Sequence, residues 1–215
     1  DLLSQAKKET VKLNNREKVN KKLVRWQDTN YKIINIDFDY KLYLKNNSEL
    51  KDHLAIGMGD LLTNEPVLCR IHSQCITGES FFSMRCDCRF QLTESLTQIA
   101  EKGRGVVFYL QQEGRGIGLS NKIRAYNLQD KGFDTVEANH QLGFKEDERG
   151  YDIVSEMINF LGIKKIDLMT NNPKKIKALE AMGVIINQRV QISSSTNKYN
   201  EKYISTKIKK LGHLF

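Results

Sequence analysis

Proline, tryptophan and long apolar runs are scarce in this chain: of its 215 residues two are Pro and one is Trp. No linker rich in Gly, Ser and Pro interrupts it and no internal repeat divides it. The expected organisation is therefore a basic N-terminal segment, 1–25, followed by a single domain over 26–215. A hydrophobic content of 40% excludes a disordered or fibrous polymer. No stretch approaches the roughly 18 apolar residues of a membrane-spanning helix, and no succession of basic, apolar and small-residue zones resembles a signal peptide. A cytoplasmic setting without a membrane partner is the expectation. Cysteine is sparse too, four in all, which argues against a disulfide framework and for metal or catalytic use.

Acidic excess is also absent, the net charge being +8. Lysines and arginines that meet phosphates gain affinity by releasing counterions. Much of this excess, however, sits in Lys7, Lys8, Lys12, Arg16, Lys18, Lys21, Lys22 and Arg25, and in Lys207, Lys209 and Lys210. Such clusters are usually solvated faces, and the remaining charge suits a pocket for one polyphosphate, so a nucleic-acid partner is not expected.

Periodicity predicts alternating strands and helices. Residues 66–72 read as a strand with Val67, Cys69 and Ile71 on one apolar face and Arg70 and His72 on the other. A helix over 91–102 follows, with Gly103 as its cap; then a buried strand over 106–110, a helix over 121–130 and a helix over 151–161. A strand over 166–170, a helix over 173–182 with Pro at its start, and a strand over 184–192 complete the pattern. The predicted fold class is α/β (α+β), a mixed sheet layered with helices.

Cys75, Cys86 and Cys88 form a C-x10-C-x-C arrangement, with Asp87 between the last two. Structural zinc takes four protein ligands, whereas catalytic zinc takes three and keeps a position for water, whose pKa falls towards neutrality. Cys69 and His72 are the rival fourth ligands, but Cys69 shares its strand face with Val67 and Ile71 and reads as core. Glu113-Gly114-Arg115-Gly116-Ile117-Gly118 joins a strand to a helix, where glycines admit a ligand to the backbone and Arg115 can fork onto phosphate. A second such junction is Thr170-Asn171-Asn172-Pro173-Lys174-Lys175. Asp147 and Arg149, two apart, can address one substrate from an extended chain.

These motifs, RIHSQCITGESFFSMRCDC, QQEGRGIGLSNKIRAYNLQDKGFDTVEANHQLGF, DER, LMTNNPKKI and TKIKKLGHLF, run from about Pro66 to Phe215, and through them the chain resembles the GTP cyclohydrolase II family. The resemblance implies a catalytic zinc on Cys75, Cys86 and Cys88. It implies nucleotide contacts from Arg70, Ile71, His72, Ser73, Gln74, Gln91, Glu113, Gly114, Arg115, Thr135, Thr170 and Lys175. Asp147 falls at the proton-acceptor position, Arg149 at that of a nucleophile on the α-phosphate, and Tyr126 where a tyrosine assists ring opening. A guanidinium with a pKa above about 12 has no free lone pair, so the alternative is that Arg149 stabilises phosphate charge while water attacks. Also implied are a homodimer, Mg2+ for the triphosphate, and formate, pyrophosphate and 2,5-diamino-6-(5-phospho-ribosylamino)pyrimidin-4(3H)-one as products, the first step of riboflavin biosynthesis. Glu113 can read the guanine N1–H and 2-amino donors.

Gln74 stands where the family usually has Glu, Arg89 where it usually has Gly, and Gln111 where it often has Arg. The alternative functions are a relative giving a formamido product or serving a specialised pathway, and a catalytically silent, zinc-stabilised partner protein.

Overall fold

A computed structural model describes residues 39–44, by their backbone, and 52–214; the basic segment at 1–25 lies outside the described residues. Six strands form one mixed sheet: β1 (Asp39–Leu44), β2 (Asp52–Met58), β3 (Val67–Ser73), β4 (Gly105–Leu110), β5 (Ile166–Met169) and β6 (Ile186–Val190). Their order is β1-β2-β4-β3-β5-β6. β4, β3, β5 and β6 run parallel, and β1 and β2 add an antiparallel ribbon on the β4 edge.

Seven helices accompany the described strands: α1 (Ile76–Glu79), α2 (Cys88–Lys102), α3 (Gly118–Asp130), α4 (Thr135–Gln141), α5 (Asp152–Phe160), α6 (Pro173–Ala181) and α7 (Glu201–Lys209). None of them is long and apolar enough to cross a membrane.

Central parallel strands are covered on both faces, so their side chains are buried whichever way they point. In β3 the period of two sorts them. Val67, Cys69 and Ile71 join Val106, Phe108 and Leu110 of β4 in the larger core, closed by Val154, Met157 and Ile158 of α5 and Leu179 of α6. Leu68 enters a smaller core on the other face, with Val107, Met169 and Ile99 of α2. Further along that second face come Arg70 and His72, only 6% and 2% exposed. The apolar layer there gives way to polar side chains at the carboxyl ends of the parallel strands, the edge where open α/β sheets bind ligands.

The mixed, helix-layered sheet predicted from periodicity is the one observed. The predicted strand at 184–192 is shorter, Ile186–Val190, and two helices start earlier than predicted, at Cys88 and at Gly118. β1, β2, α1, α4 and α7 are additions. For α4 a signal was present: Asp134 accepts from the Val136 and Glu137 amides while Glu137 returns to the Asp134 amide, a capping box. α7 carried a short one, Ile204 and Ile208 four apart, of which only Ile204 is buried.

Candidate active site

One pocket at the carboxyl ends of β3, β4 and β5 gathers the predicted residues. Arg70, Ile71, His72, Ser73 and Gln74 come from β3 and its exit, Gln91 from α2, and Glu113, Gly114 and Arg115 from the turn after β4. Tyr126, Thr135, Arg149, Thr170 and Lys175 complete the set, together with the three cysteines. Asp147 does not line the pocket itself and reaches it through Arg149, whose Nε and Nη2 donate to its oxygens at 2.8 and 2.5 Å.

The cysteine end is built by two short helical starts. Cys75 precedes the single turn α1, and Cys88 opens α2. The three sulfurs lie within 4.8 Å of one another, with Cys75 and Cys86 3.6 Å apart. Tetrahedral zinc with Zn–S bonds near 2.3 Å places sulfurs about 3.8 Å apart, so the group fits that ion. Gly78 leaves the space for it: a Cβ there would stand 2.8 Å from Cys86 Sγ and 3.2 Å from Cys75 Sγ. Hydrogen bonds from the other two thiols, and then Lys122, hold the Cys75 thiol far below its usual pKa, while Cys86, donating to Cys75, is pushed up to about 12. Without a cation one thiolate is stabilised at the expense of its neighbours; a divalent ion is what such a set favours.

Neither rival ligand joins the cluster. Cys69 is fully buried in the apolar core and burial raises its thiol. His72 Nε2 meets Glu79 Oε1 at 2.8 Å, and burial lowers its pKa. Glu79 then holds the loop: the same oxygen accepts from the Cys75 amide at 2.9 Å, and the other accepts from Tyr109 Oη at 2.5 Å.

Between this end and the nucleotide turn sits Lys122 on α3. Its ammonium donates to Cys75 Sγ at 3.1 Å, Thr77 Oγ1 at 2.8 Å and Glu113 Oε1 at 2.6 Å. Glu113 Oε2 accepts from the Ile76 amide at 2.7 Å. Tyr126, one turn beyond Lys122 on the same face, approaches Thr77 Oγ1 at 3.4 Å. Sequence reasoning named Tyr126 and Glu113 but missed Lys122, although the four-residue spacing to Tyr126 was legible.

The opposite end is cationic. Arg70 donates to Met169 O at 2.9 Å and to Gln91 Oε1 at 2.7 Å, and burial pulls its pKa down to about 10. Lys175, also buried, donates to Ile71 O at 2.9 Å, and burial with Arg70 and Arg149 nearby lowers it well below the usual amine value. Burial lowers Arg149 as well, but Tyr151 and Asp147 outweigh it, so the guanidinium stays protonated. Burial raises Asp147, and the bonds from Arg149 overcome that, leaving the carboxyl below its usual value. Among the described residues, Arg70 Nε and Arg115 Nη2 are buried donors without a hydrogen-bond partner. Buried orphan donors are uncommon; here they face a site suited to anions.

The turn after β4 is strained. Gly114 and Arg115 both adopt left-handed backbone angles, φ 64° and 63°, which costs a non-glycine residue about 1–2 kcal/mol. Contacts hold it there: the Glu148 amide donates to Arg115 O at 3.0 Å, and a Cβ on Gly116 (φ 96°) would stand 3.0 Å from Glu148 carbonyl atoms.

Of the three residues that depart from the expected family pattern, one is explained by its surroundings. Arg89 lies in the first turn of α2 without positive φ and stacks over the Phe82 ring at 4.3 Å, so glycine's freedom is not required there. The Gln111 amide donates to His53 Nδ1 at 3.2 Å, a bond any side chain at 111 would leave available. Gln74 likewise contributes only its backbone amide, to Leu110 O; nothing in the structure explains the side chain at 74 or at 111.

The match to known proteins follows the same residues. A family model described as GTP cyclohydrolase II matches residues 26–191, most of the chain. The chain belongs to the GTP cyclohydrolase II family. Proteins named GTP cyclohydrolase-2 are similar over most of the chain. The one from Tolumonas auensis is 55% identical over 170 residues, 79% of this chain and 86% of its own. One from Haemophilus influenzae is 54% identical over 164 residues, 76% of each chain. One from Pseudomonas aeruginosa is 56% identical over 164 residues, 76% of this chain and 80% of its own. The GTP cyclohydrolase II signature thus covers the cysteine end, the nucleotide turn and the Asp147–Arg149 pair alike.

Proposed function

We propose that this protein hydrolyses GTP, opening the imidazole ring with release of formate and pyrophosphate and leaving 2,5-diamino-6-(5-phospho-ribosylamino)pyrimidin-4(3H)-one for riboflavin synthesis. The observation that carries this reading is the pairing, in one pocket, of three converging thiols with a buried cationic wall. Zinc on Cys75, Cys86 and Cys88 would supply Lewis acidity and lower the pKa of water, the chemistry that ring opening needs.

The remaining work falls to this chain's own groups. Arg70, Arg115, Arg149 and Lys175 would share the negative charge of the phosphates, with Mg2+ accompanying the triphosphate, and Ser73, Thr135 and Thr170 would add hydroxyls. Because Arg149 stays protonated, it would stabilise charge on the α-phosphate while water attacks, and Asp147 would hold its guanidinium in register. Glu113 would read guanine through the lone pairs left beside the Ile76 amide and Lys122. Tyr126, whose hydroxyl is kept protonated by burial, would donate to the opening ring. Ile71, His72, Gln74, Gln91 and Gly114 would shape the nucleotide's seat. A homodimer in the cytoplasm completes the reading.

Purified, zinc-loaded protein incubated with GTP and Mg2+ tests it by assay of both leaving groups. Formate and pyrophosphate in equal amounts support it. Pyrophosphate without formate would point to the formamido-forming relative, and neither product to a silent partner protein. Arg149→Ala should cut pyrophosphate release by about 100-fold or more while zinc stays bound.

A further inference from the structure

The span matched by the family model ends at residue 191, short of the TKIKKLGHLF motif, yet the pocket extends into that motif. Tyr203 and Lys207 of α7, together with Ile192 and His213 on either side of that helix, also line it. This last segment bridges the two ends of the pocket.

On the cysteine side, Lys207 Nζ donates to Asp87 Oδ1 at 2.8 Å, with side-chain exposures of 8% and 0%. Asp87 stands between two of the three cysteines, at the N-cap position of α2, but its side chain caps nothing. Its other oxygen accepts from Gln91 Nε2 at 2.7 Å, and Gln91 Oε1 in turn accepts from Arg70. Asn197 Nδ2 also reaches Met84 O in the same loop, at 3.4 Å. On the phosphate side, Asn171 exchanges bonds with Ile192, donating to its carbonyl at 2.6 Å and accepting from its amide at 3.2 Å. The Leu214 amide donates to Asn171 O at 2.8 Å. The Arg115 guanidinium lies 5.9 Å from the Tyr203 ring centroid, and Lys207 Nζ 4.9 Å from it.

Stability alone does not account for this arrangement. A buried ion pair replaced by well-packed apolar residues is commonly neutral or stabilising, so a helix that merely docked would do as well with a leucine at 207. What the ammonium adds is direction, because it fixes one carboxylate oxygen and leaves the other for Gln91.

We propose that Lys207 is a positioning residue: through Asp87 and Gln91 it sets the Arg70 guanidinium, and with the rest of 192–214 it holds the cysteine loop and the Thr170–Asn172 junction in register, so that both steps act on one bound nucleotide. This rests on the GTP reading given above. It predicts a signature that general destabilisation does not give, namely partial uncoupling of formate release from pyrophosphate release.

The test compares wild type, Lys207→Met and Lys207→Arg, each zinc-loaded and checked for metal content and secondary structure. For Lys207→Met the expected result is zinc at the wild-type level, a KM for GTP raised about tenfold or more, and formate per pyrophosphate lowered several-fold, since small misplacements of reacting groups carry such penalties. Lys207→Arg should recover most of the ratio. If Lys207→Met does not fold, the double variant Asp87→Asn/Lys207→Met, which leaves no uncompensated buried charge, should show the same split. An unchanged KM with both products falling by one common factor overturns the inference, as does zinc loss or wild-type behaviour of the folded variant. Wild-type protein inert towards GTP overturns the underlying reading instead.

Discussion

The two ends of the pocket are built in opposite ways. At the cysteine end nearly every polar group is already engaged: Glu79 holds His72, Tyr109 and the Cys75 amide, while Lys122 ties Cys75 to Glu113. What it lacks is a charge to let all three thiols ionise. At the other end Arg70 and Arg115 keep buried donors without partners, Lys175 is pushed towards neutrality, and Arg115 sits in a strained turn. One end is preorganised for a thiolate-bound cation and the other for an anion.

The largest effect should come from removing a thiol. Cys86→Ser is expected to abolish stoichiometric zinc binding and to lower formate release by about a thousandfold, given several kcal/mol of lost charge stabilisation. The sheet and its two cores do not depend on Cys86, so far-UV circular dichroism should change little. Unfolding of the variant would make the cysteine end a structural site and break the comparison.

Lys122 joins the ends, and its loss should be felt at both. Lys122→Met leaves Glu113, with a side chain 10% exposed, as an uncompensated carboxylate, at a cost of about 3 kcal/mol measured by denaturant unfolding. Zinc affinity should fall about tenfold or more through the lost bond to Cys75 Sγ. Adding Glu113→Gln should restore most of the stability and none of the zinc affinity.

How much of this was legible beforehand varies with the range of the interaction. The odd–even sorting of Val67, Cys69 and Ile71 against Arg70 and His72 is a local property of a strand, and the sequence showed it. The C-x10-C-x-C spacing likewise marked the cluster, because two short segments suffice to bring it together. Asp87 was visible as a neighbour of the ligands, but its partner Lys207 is 120 residues away, and no period or motif connects them. Glu79 and Lys122 were hidden differently: each sits one helical turn from a named residue, Cys75 and Tyr126, but only the fold brings Glu79 to His72 and Tyr109 on β3 and β4 and Lys122 to Cys75 and Thr77.

The segment around α7 supplies the pH-dependent contrast. Burial, and then Lys207, Arg115 and Arg149, lower His213 from 6.5 to about 4. A depressed histidine is neutral in the folded protein and takes up a proton on unfolding, so its contribution is complete above pH 6.5 and is lost as pH falls towards 4. At 1.36 kcal/mol per unit the loss is about 3 kcal/mol, which partial exposure of the ring reduces to about 2 kcal/mol. Stability followed between pH 7 and 4 should decline by that amount, and His213→Gln should flatten the slope over this window. An unchanged slope would show that burial does not depress His213 and that other groups carry the pH dependence.

The smallest effect tests what a departure from a family pattern means. Arg89 occupies a position where the family resemblance leads to glycine, which invites the expectation that Arg89→Gly would improve the protein. The geometry argues otherwise. Arg89 is in the first turn of α2, has no positive φ, and covers the Phe82 ring. Glycine in a helix costs about 0.5–1 kcal/mol relative to residues with a side chain, and the stacked cation would be lost besides. Arg89→Gly should therefore lower stability by about 1 kcal/mol in thermal unfolding, with GTP turnover and zinc content close to wild type, as expected at a position where the family resemblance leads to glycine. A gain in turnover would mean that the stacked arginine restrains the cysteine loop, placing its influence on the cation-binding end rather than on the helix.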